Sequence, residues 1–188
     1  MDSQIFERVN GLAGHNPVLD GLLSFLAGYG PLLLVAAFVA LWFWPGQRPW
    51  RDRWQRSAVL AAGSALIALG VNQVISRAWF RPRPFTHHTA LLLLPASHDP
   101  SFPSDHAAFA FAVATVLLLT SRRLGGPALV YAAVVAFSRV FVGEHYPTDV
   151  VAGALVGAGV ALGIFALRGR LEPVLGPLLR TARKMHLA

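Results

Sequence analysis

From Pro17 to Trp44 the chain is apolar almost without a break, and four further apolar runs follow at residues 58–76, 104–121, 128–142 and 147–167. A helix needs about 20 such residues to cross a bilayer. Inside lipid, backbone polar groups must be satisfied within the structure itself, which leaves helices or closed barrels. Long runs without two-residue alternation predict helices. The expected fold is all-α, a polytopic membrane bundle of about five to six spans, forming one domain over residues 1–188.

The first run contains Asp20, Ser24 and Gly28-Tyr29-Gly30-Pro31, so it reads either as one tilted helix or as a short helix leading into a broken one. Trp42, Phe43 and Trp44 then supply an interfacial aromatic belt. Ahead of it, residues 2–13 pattern as a short amphipathic helix with Ile5, Phe6, Val9 and Leu12 on one side, either lying at the interface or frayed. A tight turn is expected at Gly125-Gly126-Pro127. In the last run, Gly153, Gly157, Gly159 and Gly163 are small residues that let helix backbones approach closely. Chain flexibility is the alternative reading.

Only 13% of the residues are charged, against roughly 25% in soluble domains, and the mean hydropathy is +0.53. The chain has no cysteine, which excludes disulfides, thiolate metal sites and cysteine nucleophiles. A formal net charge of +7 raises nucleic acid as a partner. The arginines, however, fall in short loops between apolar runs, where membrane topology and phosphate binding account for them. Asp2 and Glu7 stand where a cleaved signal peptide would carry a basic leader, so none is expected.

Five crossings place three basic segments on one face: the 45–57 loop with Arg48, Arg51, Arg53 and Arg56, the 122–126 turn, and the tail from Arg168 through Lys184. The positive-inside rule makes that face cytoplasmic. The opposite face receives residues 77–103 and 139–147, whose arginines run against the bias and are therefore expected to be kept for binding.

Three polar motifs converge there: Arg81-Pro82-Arg83-Pro84, Pro103-Ser104-Asp105-His106, and Ser138 through Asp149. At a helix start, the four-residue spacing puts His145 and Asp149 on one face. A carboxylate accepting from one ring nitrogen would fix the tautomer and free the other to attack. Metal ligation and helix capping remain open for the same pair. His106 follows Ser104, a candidate N-cap, at a helix end whose free N–H groups suit phosphate oxygens. A histidine there can protonate a leaving oxygen, or simply mark the interface. Arg83 and Arg139 carry forked charge suited to phosphate, whereas Arg77 and Arg81 can snorkel to headgroups. His87, His88 and His98 match no closed zinc spacing and read as solvated loop residues. Glu144 either tunes His145 or faces water or Arg139.

Together the motifs resemble those of the type 2 phosphatidic acid phosphatase (PAP2) superfamily: Lys-x6-Arg-Pro, Pro-Ser-x-His and Ser-Arg-x5-His-x3-Asp. Here Arg83-Pro84, Pro103 through His106, and Ser138 through Asp149 match, while the lysine position holds Ser76, with Arg77 or Arg81 as possible substitutes. The whole length is similar to the small, bacitracin-resistance type of undecaprenyl-diphosphate phosphatase. The resemblance implies an enzyme without metal or other cofactor. His145 would form a phosphohistidine, Asp149 would orient it, and His106 would handle the leaving group and then water. Arg83, Ser104 and Arg139 would hold phosphate oxygens. To this we add the expectation that Arg77 or Arg81 engages the second phosphate of a diphosphate.

The implied substrate is undecaprenyl diphosphate, or another polyprenyl or lipid phosphate such as phosphatidate or phosphatidylglycerophosphate. The implied setting is a bacterial plasma membrane with the site outside and the C-terminus cytoplasmic. A lipid transporter is the rival from another class, and the haloperoxidase relatives are soluble. No protein partner is expected.

Overall fold

The computed structural model describes residues 1–43 and 48–184, apart from the side chains of Arg48, Arg183 and Lys184. Trp44 of the expected aromatic belt, and those three side chains of the basic segments, lie outside the described residues. The fold is all-helical: α1 (Asp2–Asn10), α2 (Pro17–Trp42), α3 (Arg48–Ala78), α4 (Asp105–Thr120), α5 (Arg122–Phe141), α6 (Pro147–Ala166) and α7 (Arg168–Lys184). Four of these, α2, α3, α5 and α6, are long and apolar enough to cross a membrane, and α4 is a shorter apolar helix among them. This is a multi-pass membrane protein.

α2 is one unbroken helix of 26 residues. Asn16 caps it by accepting from the amides of Val18 and Leu19, and Pro17 occupies the first turn, where no N–H is needed. Pro31 lies inside it without breaking it. A proline withdraws the N–H that its i−4 carbonyl would receive, here the carbonyl of Ala27. That oxygen accepts instead from Nη1 of Arg139 at 3.0 Å, and the neighbouring carbonyl of Gly30 accepts from the Tyr131 hydroxyl at 2.9 Å.

α4 is the central helix, with Ala107, Ala108, Ala110, Ala112, Val113, Ala114, Val116 and Leu117 all buried. A helix apolar on every face belongs in the interior. Lipid is as apolar as these side chains, so close packing rather than the hydrophobic effect holds α4 in place. Gly153 and Gly157 of α6 provide that closeness: a Cβ at either would collide with the carbonyl of Ser104 or Ala108. Gly159 and Gly163 face open space, so half of the expected glycine stripe serves packing.

Two expectations are corrected, and the tail gains a structure. Gly125-Gly126-Pro127 is no turn but part of α5; a Cβ on Gly125 would strike the backbone of Leu118, so its absence lets α5 cross tightly over the end of α4. The basic tail forms α7, which buries Leu175 beside Leu60 and Ala61. The N-terminal helix is neither frayed nor merely interfacial, since Phe6 is fully buried against His88 and Tyr146. Burying such a ring contributes about 1.5–3 kcal/mol. Asn10 bonds the carbonyls of Leu91 and Phe141 at 2.9 and 2.8 Å.

Candidate active site

The ends of α3 and α5 and the starts of α4 and α6 meet at one end of the bundle, and the 79–104 segment covers them. The amide of Ser104, at the start of α4, donates to the carbonyl of Asp149 in α6 at 3.0 Å. Asn72 and Gln73 at the end of α3 donate to Asp105 at 2.9 and 3.3 Å. The three motifs of the sequence are thus drawn together.

Asp149 occupies the third position of α6 and caps it, Oδ2 accepting from the amide of Tyr146 at 2.8 Å. It also accepts from the Ser101 hydroxyl at 2.5 Å through Oδ2 and from Arg81 at 2.6 Å through Oδ1. The carboxylate is fully buried. Capping of α6 is thus one role of this carboxylate.

His145 lies in the tight connection between α5 and α6, where Gly143 takes φ +89°. That left-handed conformation suits glycine, and the Leu91 carbonyl leaves no room there for a Cβ. Nδ1 of His145 is 2.8 Å from the Ser101 carbonyl but 3.7 Å from Asp149 Oδ2. The tautomer is thus set by a backbone oxygen, with the carboxylate acting through Ser101 and by its charge. This corrects the expectation of a direct His–Asp bond. Nε2 points the other way and lies 3.5 Å from Nη1 of Arg83. Burial pushes the imidazole below its usual pKa, as do Arg139 and Arg83, and these outweigh the opposing influence of Asp149.

Arg83 and Arg139 are both buried, and Glu144, itself buried, ion-pairs with both. Two desolvated guanidinium groups side by side need such a counter-charge. Glu144 therefore does not face water. Arg83 is fixed further by the Asp99 carbonyl and carboxylate, each at 3.0 Å, and by the Glu144 carbonyl at 3.0 Å.

His106, in the first turn of α4, faces His145 across a cavity of about 150 Å³ that both line, together with Arg83, Arg139, Gln73 and Ser76. Ser104 is the N-cap residue, but its hydroxyl makes no capping bond and is buried without a partner among the described residues. A buried orphan hydroxyl normally has a partner, and a phosphate oxygen would supply one.

Arg77 and Arg81 do not line this cavity. Arg77 is exposed on α3. Arg81 contacts Asp2, Thr148 and Asp149 and lies over the Tyr146 ring. Of the three outlying histidines, His87 and His98 are exposed, while His88 stacks with Phe6 and Tyr146. Sequence reasoning missed Ser101, Asp99 and Asp2. Their only signal was a place in the polar segments that the topology already put beside the motifs.

The sequence profile of the PAP2 superfamily matches residues 57–172. The undecaprenyl-diphosphatase BcrC of Bacillus subtilis is 34% identical over 181 residues, spanning 96% of this chain and 91% of that protein. An undecaprenyl-diphosphatase of Sulfolobus acidocaldarius is 32% identical over 84% of this chain and 74% of its own length. In fold, the chain is similar to the crystal structure of Aquifex aeolicus LpxE, with a TM-score of 0.67 at 23% identity over 88% of this chain and 94% of that one. It is also similar to a transmembrane phosphatidylglycerolphosphate phosphatase of Bacillus subtilis, with a TM-score of 0.66 at 20% identity over 90% and 85%. The chain belongs to the PAP2 superfamily.

Proposed function

We propose that the protein is a membrane lipid phosphatase whose preferred substrate is undecaprenyl diphosphate, which it converts to the monophosphate. One observation carries the reading: two histidines from different helices line one small cavity with two buried arginines. In the first step, Nε2 of His145 bonds to the terminal phosphorus, the bridging P–O bond breaks, and His106 gives its proton to the departing oxygen. The phosphate charge nearby favours the protonated state of His106 that this step needs. In the second step, His106 takes a proton from water as the oxygen attacks phosphorus, the N–P bond breaks, and orthophosphate leaves. Arg83, Arg139 and the Ser104 hydroxyl hold the equatorial oxygens through both steps. Asp149 and Ser101 keep Nδ1 protonated and Nε2 free.

The site faces the extracytoplasmic side of a bacterial plasma membrane, because the opposite end of the bundle carries Arg51, Arg53, Arg56, Arg122, Arg123 and Arg168. The chain acts as a single domain. Relatives named undecaprenyl-diphosphatase favour the diphosphate over phosphatidate or phosphatidylglycerophosphate.

The test is phosphate release from undecaprenyl diphosphate, undecaprenyl phosphate, phosphatidate and phosphatidylglycerophosphate by detergent-purified protein. Wild type is expected to release phosphate fastest from the diphosphate. His145→Ala and His106→Ala are expected to lose it by at least about 10³-fold. Full activity in either variant would dismiss the mechanism, and no release by wild type would leave transport as the better reading.

A further inference from the structure

A second cavity, of about 490 Å³, opens at the end of the bundle opposite the catalytic one. It lies between the first turns of α3, the last turn of α4, the end of α6 and the start of α7. Arg53, Arg56 and Arg168 line it against a single carboxylate, Glu172, over an apolar wall that includes Leu60 and Phe165. Each guanidinium is held by a local contact. Arg53 donates to the Thr120 carbonyl and Arg56 pairs with Glu172. Arg168 lies 4.3 Å over the Phe165 ring while donating to that residue's carbonyl at 2.8 Å. Three guanidinium groups and one carboxylate are thus gathered among the described residues that line this cavity.

We propose that this cavity binds the headgroup of an anionic phospholipid from the leaflet opposite the catalytic site. Basic pockets between helices at a membrane surface take phosphodiester headgroups. Forked guanidinium groups match phosphate oxygens, and the apolar wall below them suits the start of an acyl chain. A soluble phosphate would gain nothing from that wall. Bound there, the lipid bridges α3, α6 and α7, and it competes with Glu172 for Arg56.

Native mass spectrometry of the detergent-purified protein, titrated with phosphatidylglycerol, phosphatidylcholine or orthophosphate, tests this. Wild type is expected to hold phosphatidylglycerol more tightly than phosphatidylcholine. The R53Q/R56Q/R168Q variant is expected to lose at least about fivefold of that affinity, the contribution of one arginine near an anionic surface. Glu172→Gln keeps all three arginines and removes the competitor, so it is expected to bind phosphatidylglycerol more tightly than wild type. The catalytic cavity is unchanged in all three proteins, so differences among them report the second cavity alone. Equal phosphatidylglycerol affinity in wild type and the triple variant overturns the proposal, as does orthophosphate binding there as tightly as the lipid. Should the triple variant not fold, unchanged or weaker binding by Glu172→Gln overturns it alone.

Discussion

Nη1 of Arg139 reaches across to the carbonyl of Ala27 at 3.0 Å, taking up the acceptor that Pro31 leaves without a helical donor. An imino acid in the first membrane helix thereby steadies a cationic side chain of the catalytic cavity. Pro31→Ala would restore the N–H, and Ala27 would then have a donor within its own helix. The helix should be at least as stable, since alanine is favoured over proline in helix interiors. Arg139 should be less well held, weakening orthophosphate inhibition by about tenfold, on the scale of one hydrogen bond from a charged donor. Inhibition constants equal to wild type would show that Ala27 does not steer Arg139.

Arg81 contacts Asp149 rather than the cavity. Arg81→Gln should therefore slow turnover of lipid monophosphate and diphosphate to the same degree, by about 10–100-fold, with little change in KM. Asp2→Asn, which loosens Arg81 from the other side, should act in the same direction but less strongly. A loss confined to the diphosphate would instead return Arg81 to the second phosphate, as the sequence alone had led us to expect.

Glu144 separates two buried guanidinium groups, so Glu144→Gln removes the carboxylate they share and leaves Arg83 with the partly exposed Asp99 alone. Breaking such a pair costs about 3–5 kcal/mol, and the melting temperature of the ligand-free protein should fall. A phosphate in the cavity would replace the missing charge. Millimolar orthophosphate should thus raise the melting temperature of the variant more than that of wild type. Equal gains in the two proteins would count against a phosphate seat between Arg83 and Arg139.

His145 is depressed in pKa, first by burial and then by the neighbouring arginines. The fold therefore favours the neutral ring, which is the nucleophilic form. Its contribution to stability is complete above the ordinary histidine value of about 6.5 and is lost as pH falls from there toward the lower folded value. kcat/KM should accordingly hold on the acid side until below about pH 6.5. The melting temperature should drop over the same window in wild type and less so in His145→Gln. An acidic limb centred above neutrality would contradict this assignment.

The spans were legible because apolar runs of membrane length permit little else, and the His106, His145 and Asp149 motifs were legible because their spacing is dense. What escaped were contacts between distant segments made by ordinary residues. Ser101 has nothing in its local sequence to announce that its hydroxyl and carbonyl serve Asp149 and His145. Gly125-Gly126-Pro127 misled because turn chemistry and close helix crossing call for the same residues; only Leu118 behind Gly125 decides between them. Arg81 was assigned to substrate because its partners, Asp2 and Asp149, lie 79 and 68 residues away.

The clasp between Asp2 and Thr148, partners 146 residues apart, bears on biosynthesis. A ribosome delivers the acidic partner early and the threonine only as the last span begins to emerge. Until α6 is made, Asp149 is absent as well, and Arg81 has Asp2 alone to pair with. The bonds that Asp149 accepts from Ser101 and Arg81 are thus made only once α6 joins the earlier segments.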